Sequence, residues 1–494
     1  MALEKVLGIE TEYGVIGGPD RDPITASTLV VSAYARRAER VEWDFGAESP
    51  DLDARGLAGL GALAPVVEPH LANAVLRNGA RLYVDHAHPE YSSPECRTPL
   101  EATVFDLAGE EVLRRAQAIA NDDLDVASAI TVYKNNSDGK GNSYGCHENY
   151  LVARDIPFVD VVRAMVPHLV SRQVILGAGK VGAETDVGQR LAPDFQISQR
   201  AEFFEEVVGL ETTLRRPIVN TRDEPHGDPE RFRRLHVIIG DANRSATATF
   251  VKLGATALLL ALLEDEGPRA FPPPPVSPVR AVREIAADPT LRTVAEMEDG
   301  RRLTGWDLQD LLFRAAERYV ARGGGAAVAS EDEVRLLLTE WRAMLDGVRD
   351  DPASVADRVD WVAKRRLVEG YRSRHDLPAT HARLRAIDLQ YHDLRPERSL
   401  ADRAGLRPLV DVAAMVRAVA EPPESTRAYF RGRCVALFPE AVVAANWDSV
   451  VFDVGEGPLR RVPMSDPRRG TAALTEALFA QSPTAVDLLR ALGG

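Results

Sequence analysis

The sequence predicts an α+β fold, and two observations carry that expectation. Up to about residue 253 the chain runs mostly in short β-like segments rich in Val, Ile, Thr and Tyr, broken by Gly, Asn and Asp, with helices near 105–120 and 158–172. From about 254 to 420 the apolar residues fall at three- and four-residue spacing, as in Leu308, Leu311, Leu312 and Ala315 and again in Val334, Leu337, Leu338, Trp341 and Leu345. Strands grouped ahead of helices imply a sheet with its helices segregated from it. At 494 residues the chain exceeds one ordinary core, so a large unit with a smaller companion is expected.

The breaks follow from proline. Pro268 to Pro278, with four prolines in a row after Phe271, cannot continue a helix and reads as an extended connection inside the larger unit. The run Glu421-Pro-Pro-Glu-Ser precedes strand-like Cys434 to Leu437, Ser449 to Val454 and Leu459 to Val462, and then a final helix near 471–492. The expected domains are therefore 1–424 and 425–494. Between Val41 and Ala74 the periodicity fades around Glu48-Ser-Pro-Asp-Leu-Asp53-Ala-Arg55-Gly56, a segment long enough to be either a solvated loop or a functional one.

Composition narrows the function classes. Apolar residues at 45% and charged residues at 27% exclude wholesale disorder. A net charge of −14 argues against broad nucleic-acid binding, which needs a dominant basic surface. Three widely separated cysteines, Cys96, Cys146 and Cys434, support neither a disulfide framework nor a cysteine zinc site, which fits a reducing cytoplasm. The N-terminal residues carry no apolar stretch with a cleavage signal, and the most apolar run, Ala255 to Leu263, is far shorter than a membrane span, so neither secretion nor membrane insertion is expected.

Four strands hold the candidate chemistry. In Val6-Leu-Gly-Ile-Glu10-Thr-Glu12-Tyr-Gly, alternation puts Glu10 and Glu12 on one face, a costly arrangement unless the carboxylates are hydrated, paired or metal-bound. In Arg81-Leu-Tyr83-Val-Asp85 a cation, a phenol and a carboxylate share a face beside the carboxylate-rich stretch through Glu90, Ser93 and Glu95. That set suits a magnesium–phosphate site, with a structural ion-pair cluster as the alternative. In Tyr144-Gly-Cys-His147-Glu148-Asn149 the histidine and glutamate point opposite ways, so one of them is structural. His236, at the entrance of an apolar strand ending near Asp241 and Asn243, is either a ligand or a satisfied structural side chain.

Familiar signatures fall away. Gly177-Ala-Gly179-Lys-Val-Gly182 matches a dinucleotide loop formally, but no helical pattern follows it. Asp138-Gly-Lys140-Gly-Asn lacks the first glycine and the Ser or Thr of a phosphate-binding loop, and no GxSxG or HExxH string occurs. A nucleotide would be held by metal-bridged carboxylates and arginines on the face of an antiparallel sheet.

The combination Gly8-Ile-Glu10-Thr-Glu12-Tyr-Gly, Asn78-Gly-Ala-Arg81-Leu-Tyr83-Val-Asp85, Ser143-Tyr-Gly-Cys-His147-Glu148-Asn149-Tyr and Asn446-Trp447-Asp448-Ser449 resembles the Pup ligase/depupylase family, from the first strand into the C-terminal region. Two features resemble its hydrolytic branch: the 48–56 loop, and Asp85-His-Ala-His-Pro-Glu90, one residue shorter than the ligase version. The resemblance implies a glutamine-synthetase-like fold, a curved and mainly antiparallel sheet flanked by helices, with a small C-terminal α/β domain. It implies hydrolysis of the isopeptide bond between the side-chain carboxyl of the terminal Glu of Pup, a prokaryotic ubiquitin-like protein, and a substrate lysine, together with deamidation of a terminal Gln.

By the same resemblance Glu10, Tyr83 and Glu90 would bind magnesium, and Arg81, Ser93 and Trp447 would contact ATP. His147 and His236 would belong to the metal or phosphate region, and Arg200 and Arg222 to the phosphates. Asp85 would be the catalytic carboxylate, as nucleophile or base. ATP, or ADP plus phosphate, would be required without being consumed at each turnover, and phosphate from a retained nucleotide is an alternative nucleophile. Glu48, Asp53 and Arg55 would lie near the active site and restrain phosphate transfer or access. The implied partners are Pup, pupylated proteins and the proteasomal ATPase ring, with a local basic strip beside Asp85 to receive acidic Pup. A Pup–protein ligase, an ATP-dependent ligase of small carboxylates and amines, and a silent Pup-binding adaptor are the alternatives.

Overall fold

The strand-forming runs of the first half assemble into one six-stranded antiparallel sheet. In the computed structural model, which describes residues 1–37, 41–56, 72–184, 193–455 and 457–493, its members are β1 (Leu7–Glu12), β2 (Asn73–Val75), β3 (Arg81–Asp85), β4 (His88–Ser92), β5 (Cys146–Ala153) and β6 (Phe232–Val237). Their order is β6-β5-β1-β4-β3-β2, so β1 lies near the centre. The pleat then sorts the side chains. Leu7, Ile9, Leu82, Val84, Tyr91, Tyr150, Leu235 and Val237 turn to one face and are buried, while the polar residues named above turn to the other.

Helices cover the apolar face. They include α1 (Pro23–Arg37), α2 (Pro99–Asp122), α3 (Phe158–Ser171) and α4 (Ala246–Glu266). Thr98 caps α2 by accepting from Glu101 N, with Pro99 at the first helical position. Gly109 of α2 sits under the Tyr91 ring, where a β-carbon would come within 2.4 Å of Cδ1, so only glycine permits that approach. Helix α4 is buried at every position from Thr247 to Leu263, and a helix apolar all round belongs in a core. Its length and composition would also allow it to cross a membrane, but 94% of its most apolar window is enclosed by the fold. Glu148 is the structural member of the His147–Glu148 pair: fully buried on the helix side, it accepts from Arg172 Nη2 and Nη1 at 2.6 and 2.8 Å and from the Tyr150 hydroxyl at 2.7 Å.

A second core lies at the C-terminal end. Strands Val442–Ala445, Ser449–Phe452 and Arg460–Pro463 form an antiparallel sheet, and Glu42–Trp43 adds a parallel edge strand beside Val442–Ala445. Val41, Trp43 and Val75 share that core with Tyr429, Phe430, Val450, Phe452 and Phe479. The start of the 41–74 segment is thus built into the C-terminal sheet, while residues 57–71 of the expected loop lie outside the described residues.

Several expectations are corrected. Cys434 to Leu437 is the end of a helix, Ala428–Leu437, rather than a strand, because a four-residue apolar run carries no period that distinguishes the two. The final helix is two, Ala472–Gln481 and Ala485–Ala491, separated at Ser482-Pro483. Helix α1 was not anticipated; its β-branched Thr, Val and Ile mimic a strand. A short hairpin, Val294–Glu296 with Arg302–Thr304, interrupts the helical half. The Gly177–Gly182 stretch contains a two-residue strand, Lys180–Val181, paired antiparallel with Phe195–Gln196, and residues 185–192 after it lie outside the described residues.

One carboxylate ties the C-terminal core to the main sheet. Glu95, just beyond β4, accepts from Arg427 Nε at 2.7 Å and is bound by the fully buried Arg431 guanidinium. Arg431 also donates to Gly79 O at 2.8 Å and to Trp447 O at 2.9 Å. Burial works against ionisation of Glu95, but Arg431 and Arg427 override it and hold the group at about 2. Glu95→Ala should strand two buried cations and lower stability by about 3–5 kcal/mol, read as a fall in the denaturant midpoint. Because the folded value lies below the ordinary glutamate value of 4.5, this contribution is present above pH 4.5 and is lost as pH falls toward 2. The Glu95→Gln protein should therefore show a shallower loss of stability than wild type across that window, and equal slopes would refute the assignment.

Candidate active site

Register brings the polar residues into adjoining rows on the open face. Glu12 pairs with Glu90 and Glu90 with Tyr83, so one row crosses β1, β4 and β3. Glu10 pairs with Ser92 and with His147, and Ser92 pairs with Arg81, making the next row. Gly8, Asn149 and His236 make a third. Asp85 pairs with His88 at the end of the β3–β4 hairpin. All of the sheet residues expected in the site, Glu10, Arg81, Tyr83, Asp85, Glu90, His147 and His236, thus share one surface.

Among the described residues, Glu12, Asp85 and Glu90 converge so that one carboxylate oxygen from each lies within 4.8 Å of the others. Like charges this close cannot all ionise without a cation. Burial opposes ionisation of Glu10 and Glu12, but the adjacent imidazoles of His147 and His88 lead the influences that pull each to about 2. Gly145 N also donates to Glu12 at 2.8 Å, and a β-carbon at Gly145 would lie 2.2 Å from His147 Nε2. Glu90 is pushed well above the ordinary carboxylate range, first by burial and then by Asp85, Glu12 and Glu10. A divalent cation answers that imbalance, so the donor set fits magnesium, which takes oxygen ligands. Tyr83 is adjacent to it, with its phenol pushed well up by burial and then by Glu90.

The neighbouring row is a chain of hydrogen bonds. Asn149 Nδ2 donates to Glu10 at 2.5 Å, and Asn149 Oδ1 accepts from Arg234 Nη1 at 2.6 Å and lies 2.9 Å from His236 Nδ1. His147 Nδ1 is 3.8 Å from Glu10, and its ring meets that of His236 edge-on at 5.1 Å. Burial, and then Arg234, push His236 well below its usual range, leaving a neutral imidazole. Arg222 has a buried Nε with no hydrogen-bond partner. Arg200 is buried too: its Nη1 donates to Tyr144 O at 2.5 Å, its Nε is unpartnered, and burial and then Arg216 push it down to about 10. Buried cations with spare donors suit an anion such as phosphate.

A cleft of about 570 Å³ opens between this face and the C-terminal sheet, lined by residues that include Gly8, Glu10, Ser93, Arg234, Arg427 and Trp447. Ser93 Oγ accepts from Ile9 N at 3.0 Å and donates to Pro94 O at 3.1 Å, so its hydroxyl also fixes the strand edge. Trp447 packs edge-on against Trp43 at 5.0 Å. Arg81 lies outside the cleft lining, its guanidinium 4.1 Å from the Trp43 ring and 3.9 Å from that of Tyr83. Glu48 accepts from Trp43 Nε1 at 2.6 Å and sits 3.8 Å from Arg81. Asp53 is paired with Arg55 at 2.6 Å, and the backbone there bridges to Arg222. The described part of the loop therefore lies against Arg81 and Arg222, two of the three arginines expected at the nucleotide.

The structure makes Glu12, read in the sequence only as the face-mate of Glu10, a member of the carboxylate group, and adds residues not singled out there: Asn149 and Arg234 as partners of Glu10 and His236, and His88, whose Nδ1 is 3.5 Å from Glu12. Strand alternation had already placed Glu12 beside Glu10, and Arg234 stands two residues before His236 on the same strand face. At the hairpin tip, Asp85 takes a hydrogen bond with His86 Nδ1 at 2.9 Å, and that contact pushes His86 up to about 9.

The Pup-ligase protein family matches residues 5–451 of the chain. Over 511 aligned residues the chain is 49% identical to a depupylase of Acidothermus cellulolyticus, with 100% of both covered. It is 44% identical to a Pup deamidase/depupylase of Mycobacterium tuberculosis, with 99% of each covered. The crystal structure of Pup in complex with its ligase PafA has the same fold, with a TM-score of 0.79 at 29% identity over 95% of this chain and 89% of that one. PafA in complex with ADP gives 0.75 at 33% identity over 83% and 89%. With the family matched across most of its length, the fold shared with PafA, and full-length relatives near half identity, this chain belongs to the Pup-ligase family.

Proposed function

We propose that this chain is a depupylase and Pup deamidase that works with magnesium and ATP, or ADP plus phosphate. It hydrolyses the isopeptide bond between the side chain of the terminal Glu of Pup and a substrate lysine, and converts a terminal Gln of Pup to Glu. The observation that carries the reading is the convergence of Asp85 with Glu12 and Glu90 on the sheet face whose Glu10 lines the cleft, in a chain aligned end to end with a depupylase. The same chemistry serves both reactions, because in each a side-chain carbonyl of the last Pup residue is attacked and an amine leaves: lysine in one case, ammonia in the other.

Asp85 is half-exposed, with one oxygen on His86 and the other free for the incoming carbonyl or for a water that it activates. Glu10, Glu12, Glu90 and Tyr83 would hold magnesium, with His147 and His236 beside it. Ser93 and Trp447 would bound the nucleotide, and Arg81, Arg200 and Arg222 would meet its phosphates. Bound there, the metal would supply positive charge that lets the crowded carboxylates ionise together and offsets charge on phosphate oxygens. The ligase reading requires phosphate to be transferred to a carboxylate. Glu48 beside Arg81 and the Asp53 segment against Arg222 favour hydrolysis, since they engage two of the three cations that would meet the phosphates. Pup is the macromolecular partner, and the proteasomal ATPase ring and a cytoplasmic setting complete the proposal.

Asp85→Asn should reduce release of Pup from a Pup–lysine conjugate by at least about 10²-fold while ADP still binds. Near-wild-type release would remove Asp85 from the reaction. Glu12→Gln and Glu90→Gln should each raise the magnesium concentration needed for ADP binding by about 10–100-fold, followed by calorimetry. Unchanged magnesium curves for both variants would show that the ion sits elsewhere.

A further inference from the structure

We propose that His86 is the positioning residue for Asp85, fixing which oxygen of that carboxylate faces the substrate carbonyl. The inference rests on the depupylase reading of the site and deepens it. His86 follows Asp85 at the tip of the β3–β4 hairpin, where its backbone φ is +51°. Glycine enters that left-handed region freely, whereas a residue with a β-carbon does so reluctantly. Glycine would satisfy the shape of this turn. The side chain held there is instead an imidazole whose Nδ1 lies 2.9 Å from Asp85 Oδ2.

The tip is anchored from below. Buried Ser27 of α1 donates its hydroxyl to Ala87 O at 2.8 Å, so the hairpin that carries the imidazole is tied to the helical layer. His88, on the far side of the same tip, leans the other way, its ring 4.2 Å from that of Tyr144 and its Nδ1 3.5 Å from Glu12. Each of these two carboxylates therefore has an imidazole of its own. With Oδ2 engaged by His86, the carboxylate plane is set and only its second oxygen is available to the carbonyl or to a water. His86 keeps this hydrogen bond throughout and transfers nothing.

The test is steady-state release of Pup from a Pup–lysine conjugate by the full chain with magnesium and ATP, for wild type, His86→Gly and His86→Asn. Glycine removes the imidazole and suits the backbone, so His86→Gly should fold with a thermal midpoint at or above wild type. Its KM and its affinity for ADP should stay within about two-fold of wild type, while kcat falls about 10–100-fold. Asparagine tolerates the left-handed backbone and keeps a short amide donor, so His86→Asn should recover part of the lost kcat. The inference is overturned if His86→Gly turns over at the wild-type rate, if it unfolds or loses ADP affinity in step with kcat, or if asparagine restores nothing. Absence of Pup release by wild type would instead overturn the depupylase reading itself.

Discussion

Four carboxylates on one face of one sheet set the terms for the rest of this molecule. Glu10, Glu12, Asp85 and Glu90 come from three adjacent strands whose pairing leaves them no way to turn apart, and Glu90 is already pushed toward its neutral form by burial and then by its neighbours. Such a face is stable only if cations and hydrogen-bond donors surround it. The chain supplies them in layers: His88 and His147 against Glu12 and Glu10, Asn149 linking Glu10 to Arg234 and His236, and Arg200 and Arg222 farther out with donors to spare. What remains unbalanced is a small oxygen-lined space that suits a hard divalent ion, next to arginines that suit phosphate.

The opposite face explains why the arrangement holds its shape. Apolar residues of the same strands meet α2 and α4, which is buried from Thr247 to Leu263, and the buried Glu148 there is matched by Arg172 and Tyr150. The Glu95 clasp then brings the C-terminal sheet over the edge of the main one, so that Trp447 closes the cleft above Ser93 and Gly8. The segment from Val41 through Gly56 connects the two regions, giving the C-terminal sheet an edge strand at Glu42–Trp43 before passing Arg81 and Arg222. Its position links the architecture of the second core to the phosphate side of the active site.

Much of this was legible in the sequence because strand alternation is a strict rule. Once Arg81-Leu-Tyr83-Val-Asp85 and Glu10-Thr-Glu12 are strands, their polar members must share a face, and the only missing knowledge is register. Register is a long-range property, which is why Glu12 was seen beside Glu10 but not as a neighbour of Asp85 and Glu90, and why Asn149 and Arg234 went unassigned. The α+β class and the strands near 449 and 460 were likewise readable. Helix α1 and the helix ending at Leu437 were not, since tertiary burial decided between helix and strand for sequences whose local preference is ambiguous. The assignments of Ser93 and Trp447 to the nucleotide came from the family resemblance alone, and no spacing rule would have joined residues so distant in sequence.

The most direct measurement is anomalous scattering from manganese in crystals of the protein grown with ADP, manganese standing in for magnesium as another oxygen-preferring divalent ion. A peak on the open face of the sheet, ligated by Glu12 and Glu90 with ADP in the cleft beside Trp447, is the result this account predicts. ADP bound in that cleft with no metal peak among Glu10, Glu12, Asp85 and Glu90 would contradict it, because the crowded carboxylates would then have some other source of balance.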